Sequence, residues 1–106
     1  MIKRFDIVWV NLDPTIGKEI KKTRPCVVVS PNELNEHLDT LIVVPLTSTI
    51  KSWPFRLTVA VGGKKSSMAF DQLRTVSKAR VGVNIGSLPI KDRPKAINIL
   101  QIMFAD

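Results

Sequence analysis

The sequence predicts a mainly β protein with one helix, folded as a strongly bent antiparallel sheet or small barrel that a C-terminal helix closes. Short runs of β-branched and aromatic residues recur along the chain between turn residues and charged loops, which is the pattern of strands. No helical stretch alternates with them as parallel βαβ units require. Only from Asp92 onward do apolar residues recur at helical spacing.

The first half of the chain predicts three strands. Residues 5–14, FDIVWVNLDP, form the first, and residues 25–30, PCVVVS, form the second after a charged loop. Residues 40–48, TLIVVPLTS, form a third, whose apolar run indicates a buried strand. Between the last two, residues 30–39 predict a turn or one short helix, with Ser30 as a candidate cap.

The second half predicts a hairpin and further strands. Residues 55–61, FRLTVAV, alternate apolar and polar side chains, and Gly62-Gly63 marks the hairpin turn that follows. Residues 66–76, SSMAFDQLRTV, are predicted as one strand with Asp71 and Gln72 embedded in it. Residues 79–87, ARVGVNIGS, alternate again, which predicts one apolar face made by Val81, Val83 and Ile85.

The terminal helix is predicted to begin at Asp92 as N-cap, with Pro94 in its first turn. Asn98 and Gln101 mark only a narrow polar stripe on an otherwise apolar surface. A helix this apolar has to be covered on most sides.

Length and composition predict a single domain spanning residues 1–106. No apolar run approaches the ~20 residues that a membrane-spanning helix needs. The first residues lack the apolar core and cleavage site of a signal peptide, so we expect a cytoplasmic protein with no membrane partner. The one cysteine, Cys26, is predicted to be a small buried core residue.

Charge favours a polyanionic partner. Sixteen Lys and Arg face nine Asp and Glu, a net charge of +7. The basic residues gather in loops and at element ends, within residues 18–24, 64–65, 74–80 and 91–95, whereas residues 25–50 contain none. Basic loops that converge on one end of a β structure would form a groove along a phosphate backbone.

Several chemistries are poorly supported. The single histidine, His37, has no Cys or His cluster near it in the sequence, which argues against a metal site and a serine triad. The stretch Gly62–Lys65 suits a hairpin turn better than a nucleotide cradle. We therefore expect neither a metal nor another cofactor.

Polar residues at strand ends remain as candidates. These are Arg24, Thr47, Ser48, Asp71 and Gln72. An arginine offers a fork of donors to a phosphate, and a threonine hydroxyl can hold a phosphate oxygen. RNA carries its own nucleophile, the 2′-hydroxyl, so such a site could cleave RNA. From these residues alone the alternatives stay open: a surface charge at Arg24, a turn cap at Thr47-Ser48 and a hydrogen-bond hub at Asp71-Gln72.

Three motifs resemble the MazF/PemK family, the growth-inhibiting toxins of toxin–antitoxin pairs. Residues 6–35 resemble its opening, residues 43–48 (VVPLTS) its second motif and residues 69–82 (AFDQLRTVSKARVG) its third. The opening motif contains Asp13-Pro14, Gly17-Lys18-Glu19, Arg24-Pro25 and Ser30-Pro31. Residues 53–59, WPFRLTV, resemble the strand after the second motif, so the likeness covers nearly the whole chain in the right order.

The resemblance implies an activity. Family members are homodimeric, metal-independent endoribonucleases that cut single-stranded RNA, mRNA included, at short sequences and so inhibit translation and growth. Attack by the 2′-hydroxyl leaves a 2′,3′-cyclic phosphate and a 5′-hydroxyl. In the MazF branch the motif residues matching Arg24 and Thr47 are catalytic, the first in general acid/base catalysis and the second in transition-state stabilisation. Because arginine holds its proton far above neutral pH, electrostatic stabilisation is the better-founded role for Arg24.

Two departures place the chain nearer the MazF branch than the PemK branch. The resemblance to PemK would put a catalytic arginine at position 69 and a histidine at position 18, but these are Ala69 and Lys18. Asp71 is accordingly expected to position the substrate rather than to act as a base. The expected RNA-binding and positioning residues are Lys18, Glu19, Thr23, Ser48, Trp53, Phe55, Asp71, Gln72 and Arg80.

Trp53 and Phe55 are candidates for stacking on RNA bases, with core packing as the alternative. The implied fold is the SH3-like plasmid-maintenance toxin barrel shared with the gyrase poison CcdB. The implied partners are single-stranded RNA, a second copy of the chain and an acidic antitoxin similar to MazE, whose disordered tail would suit a basic groove. A CcdB-like gyrase poison and a non-catalytic RNA-binding barrel are the alternatives.

Overall fold

The computed structural model describes residues 1–106. Seven strands and two α-helices follow one another in the order β1 (Asp6–Asn11), β2 (Thr23–Val28), α1 (Asn32–His37), β3 (Thr40–Thr47), β4 (Arg56–Val61), β5 (Lys64–Ala69), β6 (Arg74–Ser77), β7 (Val81–Ser87) and α2 (Arg93–Phe104). Short 3-10 turns lie at Phe70–Gln72, Lys78–Arg80 and Ile90–Asp92. Neither helix has the length and apolar character to cross a lipid bilayer.

All strand pairs are antiparallel, in the order β4-β5-β3-β2-β1-β7. The long central strand β3 pairs with β2 along one edge, while β6 and β5 share its other edge in succession. Residues 40–43 of β3 pair with β6, and residues 46–47 pair with β5. The sheet therefore curls into a half-barrel, as the sequence predicted.

Successive side chains of a strand point to opposite sides of the sheet. Here apolar side chains are buried on both sides, in two separate core clusters. Ile7 and Val27 pack with Phe70 in one core cluster, against which Ile99 and Met103 of α2 lie. Their chain neighbours on β1 and β2 belong to the second cluster: Val8, Val10, Cys26 and Val28. The second cluster is bounded by Ile20 from the long β1–β2 loop.

The prediction of one strand over residues 66–76 is wrong. The structure breaks it at Phe70–Gln72, because the two halves pair with different parts of β3. Phe70 is fully buried in the core at this break. Asp71 and Gln72 follow Phe70 in this 3-10 turn and take no part in the strand pairing. Their side chains can therefore line a site.

Of the two cap predictions, the one for Ser30 is wrong and the one for Asp92 is confirmed. Pro31, not Ser30, occupies the N-cap of α1, and the buried Ser30 hydroxyl instead donates to the Asn35 side chain and accepts the backbone N–H of Ile42 at 3.1 Å. Ser30 thus ties α1 to β3. Asp92 does occupy the N-cap position of α2, but its side chain makes no capping hydrogen bond.

Two apolar surfaces stay uncovered in the single chain. Val83 and Ile85, predicted to share one apolar face of β7, are 69% and 43% exposed. On α2, Ala96 is buried while Ile102 and Phe104 are 57% and 72% exposed. The helix is therefore covered by its own chain on one side only.

Candidate active site

Arg24 and Thr47 stand at the ends of neighbouring strands. The paired register of β2 and β3 runs Val28↔Val43, Val27↔Val44 and Cys26↔Pro45. The β2–β3 pairing ends at Cys26↔Pro45, and Thr47 itself pairs with Ser67 of β5. Arg24 and Thr47 therefore lie toward the same end of the sheet, each two residues beyond the last β2–β3 pair.

The Arg24 side chain is held at one nitrogen. Its Nε donates to the carbonyl oxygen of Lys21 at 3.2 Å, and its backbone pairs with Val10 of β1. Nη1 and Nη2 make no hydrogen bond within the chain, and the side chain is half-buried. The guanidinium is thus anchored at one end and offers its terminal N–H groups to a ligand.

A cavity of about 280 Å³ lies beside Thr47. Its lining comprises Lys18, Ile20, Thr47, Thr49, Lys51, Trp53, Arg56, Asp71 and Gln72. Five of these were candidates from the sequence, and they come from four separate stretches of chain. Three cationic side chains face one carboxylate, so the cavity favours anions.

Two polar contacts shape this cavity. The Thr47 hydroxyl accepts the backbone N–H of Thr49 at 3.2 Å, which turns the chain after β3. Gln72 Oε1 accepts the backbone N–H of Ile20 at 3.4 Å, which joins the long β1–β2 loop to the turn after β5. Gln72 therefore acts in part as the hydrogen-bond hub that the sequence left open.

The structure adds Arg56, which the sequence analysis did not select. Arg56 lies directly opposite Ala69 in the β4–β5 ladder. Its Nε and Nη2 donate to the two carboxylate oxygens of Asp71 at 2.6 and 3.0 Å. The position where the PemK branch carries its arginine is thus Ala69 here, while an arginine reaches the same aspartate from the neighbouring strand. The only sign of Arg56 in the sequence is its position on the polar side of the alternating residues 55–61.

The ion pair shifts both groups toward their charged forms. The Arg56 hydrogen bonds lower the pKa of the Asp71 carboxyl below its usual range, and the same bonds raise the pKa of Arg56. A carboxylate with a lowered pKa is a weaker proton acceptor. This favours the interpretation of Asp71 as a positioning residue.

Trp53 is half exposed at the cavity rim and lies near two cations. Arg56 Cζ and Lys51 Nζ lie 4.9 and 5.0 Å from its ring centroid, within cation–π range. Trp53 is therefore not a core residue. Phe55 does not line the cavity; its carbonyl accepts the backbone N–H of Phe70 at 3.1 Å, and its φ is +61°.

Other sequence candidates lie outside this cavity. Ser48 is exposed just beyond it. The Glu19 carboxylate accepts the backbone N–H of Ile16 at 3.1 Å and so shapes its own loop. Thr23 and Arg80 line a second open cavity of about 490 Å³ next to Trp9.

Arg80 has a structural contact in that second cavity. Its Nη1 donates to the backbone carbonyls of Asn11 and Asp13 and so holds the start of the β1–β2 loop. Thr23 and Arg24 are consecutive on β2, and their side chains therefore point to opposite faces. The structure thus separates Thr23 and Arg80 from the site around Thr47.

Cys26 is fully buried in the second core cluster, as predicted. Burial raises the pKa of its thiol to about 12. It is therefore a packing residue rather than a nucleophile.

The half-barrel is the fold of known toxins. MazF of Deinococcus radiodurans superimposes with a TM-score of 0.84 at 24% identity, covering 96% of this chain and 94% of that one. The Mycobacterium tuberculosis toxin MazF-mt6 gives a TM-score of 0.78 at 22% identity, covering 93% and 95%. A MazE-MazF structure from D. radiodurans also matches, with a TM-score of 0.78 at 24% identity, covering 96% and 94%. At these identities the likeness establishes the fold.

Sequence comparison identifies the family. Residues 3–104 match the family described as "PemK-like, MazF-like toxin of type II toxin-antitoxin system". The endoribonuclease toxin MazF of Escherichia coli K12 is 33% identical over 95 residues, 83% of this chain and 85% of that protein. The endoribonuclease EndoA of Bacillus subtilis 168 is 28% identical over 111 residues, 99% and 96%. The chain belongs to this toxin family, which confirms the resemblance seen in its motifs.

Proposed function

We propose that this protein, an endoribonuclease toxin by its family, cleaves single-stranded RNA at short sequences without a metal ion. The observation that carries the proposal is the basic cavity that Thr47 lines together with an exposed tryptophan; Arg24 does not line this cavity but lies toward the same end of the sheet. A positive groove with an aromatic side chain is the usual arrangement for binding a single strand.

The reaction requires no nucleophile from the protein. The 2′-hydroxyl gives its proton to water as its oxygen bonds to the adjacent phosphorus. The bond from phosphorus to O5′ breaks, and O5′ takes up a proton from water, so the number of protons is unchanged. A 2′,3′-cyclic phosphate and a 5′-hydroxyl result. Negative charge accumulates on the phosphate oxygens in the transition state, where preorganised donors are most effective.

Arg24 and Thr47 have the groups that this transition state needs. The free Nη1 and Nη2 of Arg24 donate to the phosphate oxygens and to the departing O5′, consistent with the acid/base role that the family motif implies. The Thr47 hydroxyl donates to a non-bridging oxygen. Because Nε of Arg24 donates to the carbonyl oxygen of Lys21, the guanidinium group needs little reorientation when RNA binds.

We infer the binding partners and the cellular location of the protein from the same family. The MazE-MazF structures among the neighbours carry the name of an antitoxin, and the net charge of +7 suits an acidic antitoxin here. A homodimer would cover the apolar side chains that β7 and α2 leave exposed, such as Val83 and Phe104. The protein would act in the cytoplasm, where its RNA substrate is.

The test is cleavage of a long single-stranded RNA in EDTA, with mapped ends. Wild type, Arg24→Ala and Lys3→Ala are compared, since Lys3 is an exposed cation near the end of β2 opposite to Arg24 and outside the basic loops. We expect discrete cuts with 5′-hydroxyl ends from wild type and Lys3→Ala, and none from Arg24→Ala. Cutting that persists in Arg24→Ala removes Arg24 from the chemistry. Loss of wild-type cutting in EDTA contradicts the metal-free reaction.

Absence of cutting under every condition, by folded and antitoxin-free wild type, would overturn the endoribonuclease proposal. It would favour instead a non-catalytic RNA-binding barrel or a gyrase poison. Supercoiling by gyrase in the presence of the protein then separates those two.

A further inference from the structure

The Arg56–Asp71 pair is asymmetric in its exposure. The Arg56 side chain is 8% exposed, whereas the Asp71 side chain is 38% exposed. The guanidinium thus lies beneath the carboxylate, and the carboxylate is the member that a ligand in the cavity can reach.

The carboxylate keeps acceptor capacity after pairing. Each of its two oxygens accepts one N–H from Arg56. An ionised carboxylate has about four acceptor positions and no donor. Asp71 can therefore accept further hydrogen bonds from a ligand, but it cannot donate one.

Arg56 orients two cavity residues at once. Its backbone is fixed in the six-pair ladder of β4 and β5. From this rigid position the guanidinium forms a bidentate bond to Asp71 and stacks 4.9 Å from the ring centroid of Trp53. A lysine could supply the charge but not the planar fork that fits both partners.

We propose that Arg56 is a positioning residue that fixes Asp71 and Trp53 as a nucleobase-reading pair. The base stacks on Trp53, and the Asp71 carboxylate accepts a hydrogen bond from the exocyclic amino group at the edge of the base. Adenine, cytosine and guanine carry such a group, whereas uracil offers only its N3–H, flanked on both sides by carbonyl oxygens that the carboxylate repels. The inference rests on the proposed function and adds to it a preference against uracil at one position of the RNA site.

The test maps every cut in a random-sequence RNA pool and derives the base preference at each position around the cut. Wild type is compared with Arg56→Lys, Asp71→Asn and the control Lys3→Gln. Arg56→Lys keeps the charge and loses the planar pair of donors, while Lys3→Gln loses an exposed charge outside the cavity and outside the basic loops. Melting curves establish that each variant is folded.

We expect wild type and Lys3→Gln to discriminate against uracil at one position by about tenfold or more, the effect of one hydrogen bond to a charged group. In Arg56→Lys and Asp71→Asn that discrimination should fall severalfold at the same position, with preferences elsewhere unchanged. A purely structural ion pair would lower activity at all sequences equally. Unchanged preference in both variants, with wild type active, overturns this inference and leaves the endoribonuclease intact.

A binding measurement decides the inference even if wild type cuts nothing. Quenching of tryptophan fluorescence is titrated with oligo(A), oligo(C) and oligo(U) of equal length. Wild type should bind oligo(A) and oligo(C) more tightly than oligo(U), and Arg56→Lys should bind all three alike. Equal affinity of wild type for the three overturns the inference, whereas failure to cleave overturns only the proposed reaction.

Discussion

Arg24 and Thr47 come from two motifs far apart in sequence, yet the antiparallel pairing of β2 and β3 brings both toward the same end of the sheet. Their relationship depends on the backbone pairing of two strands whose paired residues are buried. Cys26, Val27 and Val28 on β2, and Val43 and Val44 on β3, are almost inaccessible to solvent. A slip by one residue would turn all of these side chains to the wrong face, so the core protects the geometry of the site.

The hydroxyl of Thr47 should matter for the chemistry more than for folding. Thr47→Val keeps the shape of the side chain and removes the hydroxyl, so we expect the cleavage rate to fall by about 10²–10³-fold, as for loss of one preorganised donor. The free energy of unfolding should change by less than about 1 kcal/mol. Single-turnover cleavage and urea unfolding measure the two. Thr58→Val, at an exposed position on β4, is the matched control and should leave the rate unchanged.

The Arg56–Asp71 pair should stabilise the fold in a pH-dependent way. The pKa of Asp71 is lowered in the folded protein, so the pair's contribution is present above the unfolded pKa of about 3.9 and is lost as the pH falls through the lower folded value. Because Asp71 is partly exposed, we expect no more than about 1 kcal/mol. Denaturant unfolding of wild type and Asp71→Asn, from pH 7 down to pH 3, measures the difference.

The difference in unfolding free energy between wild type and Asp71→Asn should be constant above about pH 5 and shrink below about pH 4. Arg56→Met should show the same loss at pH 7, since it removes the other partner of the pair. A difference between wild type and Asp71→Asn that grows with acid would contradict the lowered pKa of Asp71.

Cys26 should be protected from thiol reagents. Its burial raises the pKa to about 12 from 9.0, so the thiolate is scarce near neutral pH and the sulfur is inaccessible to reagent. At pH 8 we expect almost no labelling of the folded protein by iodoacetamide and one label per chain in urea, counted by mass spectrometry. Rapid labelling without urea would mean that the β2–β3 core opens readily.

The same raised pKa also has a consequence for stability. A group that holds its proton more tightly when folded contributes stability fully at pH values below 9.0, and that contribution is lost as the pH rises toward 12. The extra loss of unfolding free energy above pH 9 should be absent in Cys26→Ala. This comparison separates the thiol from the lysines that titrate in the same range.

The exposed face of β7 offers a test of self-association. If the apolar side chains of β7 pack against a second copy, Val83→Lys should convert the dimer to a monomer of 11.8 kDa, because an unpaired charge would be buried in the contact. Sedimentation equilibrium measures the mass. Ile16→Lys, in an exposed loop, is the control and should remain dimeric. A wild type that sediments as a monomer rules out the homodimer.

Part of the candidate site lies in linear motifs. Arg24 before an apolar strand and Thr47 at the end of another are recognisable from the order of residues alone, and their catalytic roles stay a prediction. Arg56 was missed because its partner Asp71 lies fifteen positions away, a spacing that has no meaning until β4 and β5 pair. Thr23 and Arg80 were grouped with the site although they face another cavity, since a motif does not record which side of the sheet a residue occupies.

By itself, then, the sequence determined the mainly β class, the terminal helix, the basic character and the toxin family. Each of these depends on periodicity, composition or short motifs, which are properties of neighbours along the chain. Only the tertiary structure decided where the strand over residues 66–76 breaks, which polar side chains share the cavity and which apolar side chains stay exposed. Those outcomes depend on the pairing of β3 with three partners and on ion pairs across strands, so they arise only when distant segments are brought together.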